Sequence, residues 1–280
     1  MMDGRALAAR VREELKAEIA DYGDVRLATV LVGDDPASQI YIRLKHKHAG
    51  EVGIQAIDKR LPQDTSEEDV LELVEELNDD DSVDGILVQT PLPPQIDEDR
   101  VMRALDPMKD VDGLHPYNAG QLFFGHQTLV GATPVGVMRL LAEYKIPIAG
   151  ARAVVVGRSL IVGRPLSMLL LHANATVTIC HSRTDDLARH TLDADILVAA
   201  VGQLGLITAD MVKTGAAVID VGMNRTDEGL FGDVDPGVAD VAAFFTPVPG
   251  GVGPMTIACL LENALKAARY RSGALAFPRI

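Results

Sequence analysis

Apolar runs and helical periodicities alternate along almost the whole chain. Val25–Val32 (VRLATVLV) is a continuous apolar run of strand length and predicts a buried strand. Pro36–Val52 follows with helical spacing and Pro in its first turn. Ile54–Leu61 predicts a second strand. Ser66–Asn78 (SEEDVLELVEELN) predicts a helix, with Ser as N-cap, acidic residues behind it and apolar positions at helical spacing. Asp84–Gln89 predicts a third strand and Asp97–Leu105 a third helix. Residues 106–134 carry much Pro, Gly and Asp with little periodicity and are expected to be a functional connection. A helix over Val135–Tyr144 then opens a second alternating block. Its expected strands are Ala153–Val156, Thr176–Cys180, Ile196–Ala200, Ala217–Val221 and Ala243–Thr246, and a last helix covers Met255–Arg271.

Alternation of this kind predicts parallel sheets covered by helices. The expected fold class is α/β with two domains and a cleft between them. Residues 1–119 are expected to form the first domain, with the helical segment 255–280 packing back on it, and residues 120–254 the second.

Composition narrows the function. The 280 residues are 48% hydrophobic but only 4% aromatic, without Trp, so the cores rest on Ala, Val, Leu and Ile. A formal charge of −14 repels phosphate over most of the surface, and nucleic acid is not expected as a partner. An anionic substrate must therefore meet a local basic pocket. Cys180 and Cys259 lie in apolar runs and make no disulfide framework. The N-terminus reads as an amphipathic helix without a signal peptide's apolar core. No run reaches the ~18 apolar residues of a membrane span. A soluble, cytoplasmic protein is expected.

Two regions carry candidate chemistry. The segment Val154–Pro165 (VVVGRSLIVGRP) runs from a strand through a Gly-containing turn into a helix, whose bare N–H groups and positive dipole end attract phosphate. Gly157 permits the tight turn and Gly163 close packing, although the spacing departs from G-x-G-x-x-G. An ordinary strand-to-helix turn has the same outline. The next strand ends in Cys180-His181-Ser182-Arg183, with no carboxylate where NAD-specific folds place one for the ribose 2′-hydroxyl. Ser182, Arg158 and Arg183 suit a 2′-phosphate, and NADP is favoured over NAD. Asp185 and Asp186 follow closely and leave the direction of their carboxylates open. Val221-Gly222-Met223-Asn224 ends a later strand at the same sheet edge.

The second region is the helix after the first strand. Ser38, Tyr41 and Lys45 fall at i, i+3 and i+7, within about 60° of one another. They run along one edge of an apolar stripe marked by Ala37, Ile40 and Leu44, while Arg43, His46 and Lys47 are expected to point away. A partly desolvated Lys exchanges protons closer to neutrality. An amphipathic helix with a snorkelling Lys has the same pattern. Gln89-Thr90-Pro91-Leu92-Pro93 ends a strand with an uncharged polar side chain before a Pro-rich turn. Lys109-Asp110-Val111-Asp112-Gly113 offers carboxylates, which an amino-pyrimidinone edge rich in N–H donors seeks. His115 has no second His at ligand spacing, and no metal is expected. Pro249–Pro254 packs three Gly and two Pro into six residues, a shaped and bare backbone suited to a flat ring.

Taken in order, Gly33–Ser38 with Tyr41 and Lys45, Gln89–Pro93, Lys109–Gly113, Gly157–Gly163 and Pro249–Thr256 resemble the bifunctional methylenetetrahydrofolate dehydrogenase/cyclohydrolase family over nearly the whole chain. The resemblance implies NADP-dependent oxidation of 5,10-methylenetetrahydrofolate to the methenyl form, then hydrolysis to 10-formyltetrahydrofolate. Under it Lys45 is the catalytic lysine, Tyr41 its partner, Gln89 the residue that tunes it and Asp112 the group that holds the pterin. Ser38, Tyr41, Asp112, Pro249, Gly250 and Gly251 contact the folate. Gly157, Arg158, Ser159, Ser182 and Met223 line the NADP site. The family's usual form is a metal-free homodimer. The resemblance also implies a catalytic, folate-binding role for residues 1–119 and a Rossmann-like, NADP-binding role for residues 120–254. Thr90 stands where the family commonly has Leu, on the expected floor of the folate pocket. The competing readings are retention of only one activity, a Rossmann enzyme acting on an amino or hydroxy acid, and a catalytically silent NADP-binding protein.

Overall fold

The computed structural model describes residues Met1–Pro278. The chain runs α1 (Gly4–Tyr22), β1 (Arg26–Val32), α2 (Pro36–Val52), β2 (Gln55–Leu61), α3 (Glu67–Asp79), β3 (Gly85–Val88), α4 (Glu98–Ala104) and α5 (Pro116–Phe123). It continues through α6 (Ala132–Glu143), β4 (Arg152–Val156), α7 (Gly163–His172), β5 (Thr176–Cys180), α8 (Leu187–Thr191), β6 (Ile196–Ala199) and β7 (Ala217–Asp220). Last come β8 (Asn224–Thr226), β9 (Gly229–Phe231), β10 (Phe244–Phe245) and α9 (Val252–Arg271). The α/β class holds, with parallel strands and helical crossovers.

Two compact units divide the chain. One comprises Val11–Val130 and Leu260–Ile280, the other Met1–Arg10 and Gly131–Cys259. The first contains a parallel sheet in the order β2-β1-β3. The second contains a parallel sheet in the order β10-β7-β6-β4-β5, with β8 and β9 as a separate antiparallel hairpin.

In the three-stranded unit β1 is central, and six of its seven residues are buried. Ala28, Val30 and Val32 pack with Ile86 and Val88 of β3, Val70, Val74 and Leu77 of α3, and Val101 and Met102 of α4. Each buried Val or Leu side chain contributes about 1.5–3 kcal/mol. Helix α3 forms where the sequence marks it. Ser66 Oγ accepts from Asp69 N at 3.1 Å, Glu67, Glu68 and Asp69 face the positive dipole end, and Val70, Val74 and Leu77 make the buried stripe. Its far end is closed by Lys109, only 1% exposed, whose Nζ donates to Leu77 O, Asn78 O and Asp80 O at 2.8, 2.6 and 2.9 Å. The C-terminal half of α9 also belongs here, with Asn263 Nδ2 donating to Val111 O and Val130 O.

The five-stranded unit packs Val154, Val156, Leu197, Ala199 and Val218 into its own core. Residues 106–134, where the sequence shows little periodicity, hold α5, which begins at Pro116 behind a His115 cap. Helices α6 and α9 each start three residues before the pattern suggests. Pro134 and Pro254 sit third in those helices, where a missing N–H is harmless, but they read as breakers in a sequence.

Candidate active site

Helix α2 presents the first group. Asp35 caps it, with Oδ2 accepting from Ser38 N at 2.7 Å, and Gly53 ends it in the left-handed conformation. The buried face is not the expected stripe. Ser38, Ile42, Ala49 and Val52 are buried, whereas Leu44 is 38% exposed. The side chain of Ala37 lies outside the described residues. His46, expected to point away, turns onto β1, where its Nε2 lies 2.8 Å from Oγ1 of the fully buried Thr29. Burial pushes its imidazole below the ordinary value. A polar residue in the middle of β1 draws the helix face round, which an apolar count does not register.

Lys45 and Tyr41 are half-buried. Lys45 Nζ donates to Gln89 Oε1 at 3.0 Å. Gln89 is held at its other end, since Nε2 donates to Thr90 O at 2.8 Å, and its backbone N–H bonds Val30 O at 2.9 Å. The Thr90–Pro91 peptide is cis. The carbonyl of residue 90 anchors Gln89, so this bond does not depend on which side chain stands there. Burial pushes the Lys45 amine below its ordinary value, and the charge of Asp112 opposes the shift. Asp112 is lifted to about 6 by burial; Lys45 pulls it down and Asp110 adds to the rise.

The motif alone gives Asp110 no role distinct from that of Asp112, yet Asp110 builds the turn that bears Asp112. It is fully buried, and its Oδ2 accepts from His115 N at 2.8 Å and Asn118 Nδ2 at 3.0 Å. Asn118 Oδ1 in turn accepts from Thr128 Oγ1 at 2.8 Å. Asp110 Oδ1 is the single buried side-chain oxygen without a hydrogen-bond partner among the described residues, and burial raises this carboxyl. The signal was present in the motif, but only burial separates the two aspartates. Together Lys45, Gln89 and Asp112 bring a desolvated amine within electrostatic reach of a carboxyl group whose oxygens are acceptors.

The five-stranded unit presents the second group. Gly157 has φ +129, and a Cβ there would lie 2.3 Å from Ala200 O. A Cβ on Gly163 would lie 2.2 Å from Gly157 O, so the turn and the start of α7 touch backbone to backbone. That helix start is not bare, as the sequence suggests. Ser159 Oγ accepts from Val162 N at 3.2 Å and Gly163 N at 3.4 Å, because a short hydroxyl side chain can reach backbone N–H groups a few residues on. At the end of β5, Ser182 and Arg183 are exposed, as is Arg158 in the turn. Asp186 (φ +47) turns its carboxylate onto Arg189 N and caps α8, which settles its direction. Met223, 49% exposed, sits just beyond β7.

The Gly/Pro run is not a bare backbone either. The Val248–Pro249 peptide is cis. Arg5 N donates to Gly250 O at 3.1 Å, and a Cβ on Gly4 would lie 1.8 Å from Gly251 O. The start of α1 therefore lies on Gly250 and Gly251, while Pro249 stays exposed. Ser38, Tyr41, Lys45, Gln89 and Asp112 thus belong to one unit, and the nucleotide turn, Met223 and Pro249–Gly251 to the other.

The family model described as tetrahydrofolate dehydrogenase/cyclohydrolase, catalytic domain, matches residues 2–112, and the NAD(P)-binding domain model of the same family matches residues 131–272. The chain belongs to the tetrahydrofolate dehydrogenase/cyclohydrolase family. It is 54% identical over 275 residues to the bifunctional protein FolD of Methanospirillum hungatei, covering 98% of this chain and 99% of that one. The crystal structure of FolD methylenetetrahydrofolate dehydrogenase/cyclohydrolase from Campylobacter jejuni superposes with a TM-score of 0.94 at 46% identity, covering 96% of this chain and 98% of that one. The Trypanosoma brucei enzyme, solved with NADP cofactor and inhibitor, superposes at 0.93 with 40% identity and 98% coverage of both chains. As a member of this family the chain is an oxidoreductase and hydrolase acting on tetrahydrofolate derivatives. The catalytic-domain match contains Ser38, Tyr41, Lys45, Gln89 and Asp112. The NAD(P)-binding match contains Gly157, Arg158, Ser159, Ser182, Met223 and Pro249–Gly251. Among the described residues no helix is long and apolar enough to cross a membrane, and no cluster of His, Cys, Asp or Glu could hold a metal.

Proposed function

We propose that the protein oxidises 5,10-methylenetetrahydrofolate with NADP and hydrolyses the methenyl product to 10-formyltetrahydrofolate, with Lys45 as the proton-transfer group of the hydrolysis. The observation that carries this is the amine of Lys45, desolvated and held at 3.0 Å by Gln89. NADP, when bound, supplies the oxidised nicotinamide that accepts a hydride from the one-carbon bridge. The donor set fits it: a turn closed backbone to backbone at Gly157, exposed Arg158, Ser182 and Arg183, and no carboxylate ending β5. Gly157, Arg158, Ser159, Ser182 and Met223 would hold it, and the family resemblance of the Gly/Pro run assigns Pro249, which is exposed, with Gly250 and Gly251 to the folate.

The folate nitrogens stabilise the methenyl cation themselves, so oxidation needs little acid–base help. Hydrolysis needs more. Water adds to the cationic carbon and loses one proton, giving a neutral adduct. Its hydroxyl then loses the second proton as one carbon–nitrogen bond breaks, and the departing nitrogen gains a proton, leaving a net release of one. Lys45, its amine pushed below the ordinary value by burial, takes and returns these protons. Gln89 fixes the amine's direction, Tyr41 and Ser38 line the same edge of α2 one and two turns away, and Asp112 accepts the N–H donors of the pterin. We take the assembly to be a cytoplasmic homodimer, which sedimentation and cell fractionation test. Purified protein given methylenetetrahydrofolate and NADP should form NADPH and 10-formyltetrahydrofolate in succession. NADPH without decay of the methenyl species would remove the hydrolytic half, and absence of NADPH the other.

A further inference from the structure

The loops beyond β6 and β7 are tied together by two buried carboxylates that the reaction does not use. Asp233 is fully buried. Its Oδ2 accepts from Val201 N at 2.7 Å and Gly202 N at 3.0 Å, and its Oδ1 from Gln203 N at 2.8 Å and Asn224 Nδ2 at 3.0 Å. One side chain thereby fixes the whole turn after β6 and the residue after Met223. Asp220, 2% exposed, does the complementary work. Its Oδ1 accepts from Gly222 N and Asp233 N, both at 2.9 Å, and its Oδ2 from Val234 N at 3.0 Å. Two glycines exist to make room. A Cβ on Gly222 would lie 2.2 Å from Asp233 Oδ1, and one on Gly232 would lie 1.7 Å from Asp220 Oδ2.

Strand carboxyl ends are where parallel α/β sheets bind their ligands. The two loops held here follow adjacent central strands, and one carries Met223. The turn at Gly157–Ser159 and Ser182, which follow β4 and β5, receive no bond from either carboxylate. We infer that Asp233, supported by Asp220, is a positioning residue for the nicotinamide half of NADP, holding the 201–203 and 222–224 backbones in place without touching the dinucleotide. This rests on the NADP reading above. Seven donors converge on the two carboxylates, and none of them is a cation. Such an arrangement fixes backbone geometry more tightly than packing alone, because buried N–H groups left unpaired are costly.

Asp233→Asn tests this. It replaces one acceptor oxygen by an NH2 group facing N–H donors, at nearly constant shape. The expected result is a rise of tenfold or more in KM for NADP, with cyclohydrolase kcat/KM on supplied methenyltetrahydrofolate within twofold of wild type. Adenosine 2′,5′-bisphosphate, which carries only the adenosine half, should bind as tightly as to wild type. Gly222→Ala, whose Cβ would crowd Asp233 at Oδ1 (2.2 Å) and at its backbone N (2.5 Å), should give the same split. Unchanged KM for NADP in both variants overturns the inference. So does equal weakening of adenosine 2′,5′-bisphosphate, which would mean that the carboxylate merely stabilises the unit. Failure of the wild type to bind NADP at all would instead overturn the cofactor reading.

Discussion

Replacing Asp112 by Asn removes a charge while keeping the shape of the side chain, and its effects on stability and on substrate binding should have opposite signs. The folded carboxyl titrates near 6, against 3.8 for an ordinary Asp, chiefly because it is buried. Between those values the folded state holds a proton that the unfolded state has released. Stability therefore falls as pH rises through this window and is flat above it. A rise of about 2 units at 1.36 kcal/mol each makes the ionised group cost the folded protein about 3 kcal/mol. Asp112→Asn carries no such cost. Urea unfolding across this range should find the variant equal to wild type below the ordinary Asp value and about 3 kcal/mol more stable above pH 7. The same substitution takes away the charge-assisted acceptor for the pterin, worth about 1.5–3 kcal/mol, so KM for methenyltetrahydrofolate should rise roughly 10- to 150-fold. In wild type that KM should climb as pH drops through about 6, where the carboxylate is protonated. A variant that is less stable than wild type in alkaline solution, or that binds folate normally, would refute the reasoning.

Three further outcomes are expected. Gly157→Ala should abolish NADPH formation yet spare hydrolysis of supplied methenyltetrahydrofolate, because the new methyl meets Ala200 O at 2.3 Å; normal NADP binding by calorimetry would contradict this. Lys109→Met should lower stability by about 2–4 kcal/mol in urea unfolding, since three carbonyls at the end of α3 lose their buried donor; an unchanged midpoint would contradict it. Ser66→Ala should lower stability by about 1 kcal/mol through loss of the α3 cap, with no change in either activity.

Much of this was legible in the residues. Apolar runs such as Arg26–Val32 mark buried central strands, and Ser66 with its acidic neighbours marks a helix start. Motif order was enough to point to the family. Residues that act through burial were harder to see. Asp110 and Asp112 are alike in a sequence, and only the fold shows that one builds the turn and the other faces Lys45. Asp220 and Asp233, thirteen residues apart, meet only because β7 and the segment after β9 converge. Thr29 and His46 misled the reading of α2, because a polar pair inside the sheet unit is invisible to a count of apolar positions. Ser159 shows the same limit at shorter range, as its hydroxyl occupies N–H groups that composition leaves free. The Pro249–Gly251 backbone is covered by a helix start 245 residues earlier in the chain, a contact that no local pattern encodes.

The central claim is that the Lys45 amine moves the protons of the hydrolysis, and Lys45→Met tests it most directly by keeping the unbranched stem and deleting the nitrogen. With methylenetetrahydrofolate and NADP supplied, the variant should still make NADPH, while decay of the methenyl species falls about 10²- to 10⁴-fold to the uncatalysed background. Hydrolysis at the wild-type rate by a folded, NADPH-forming variant would contradict the account.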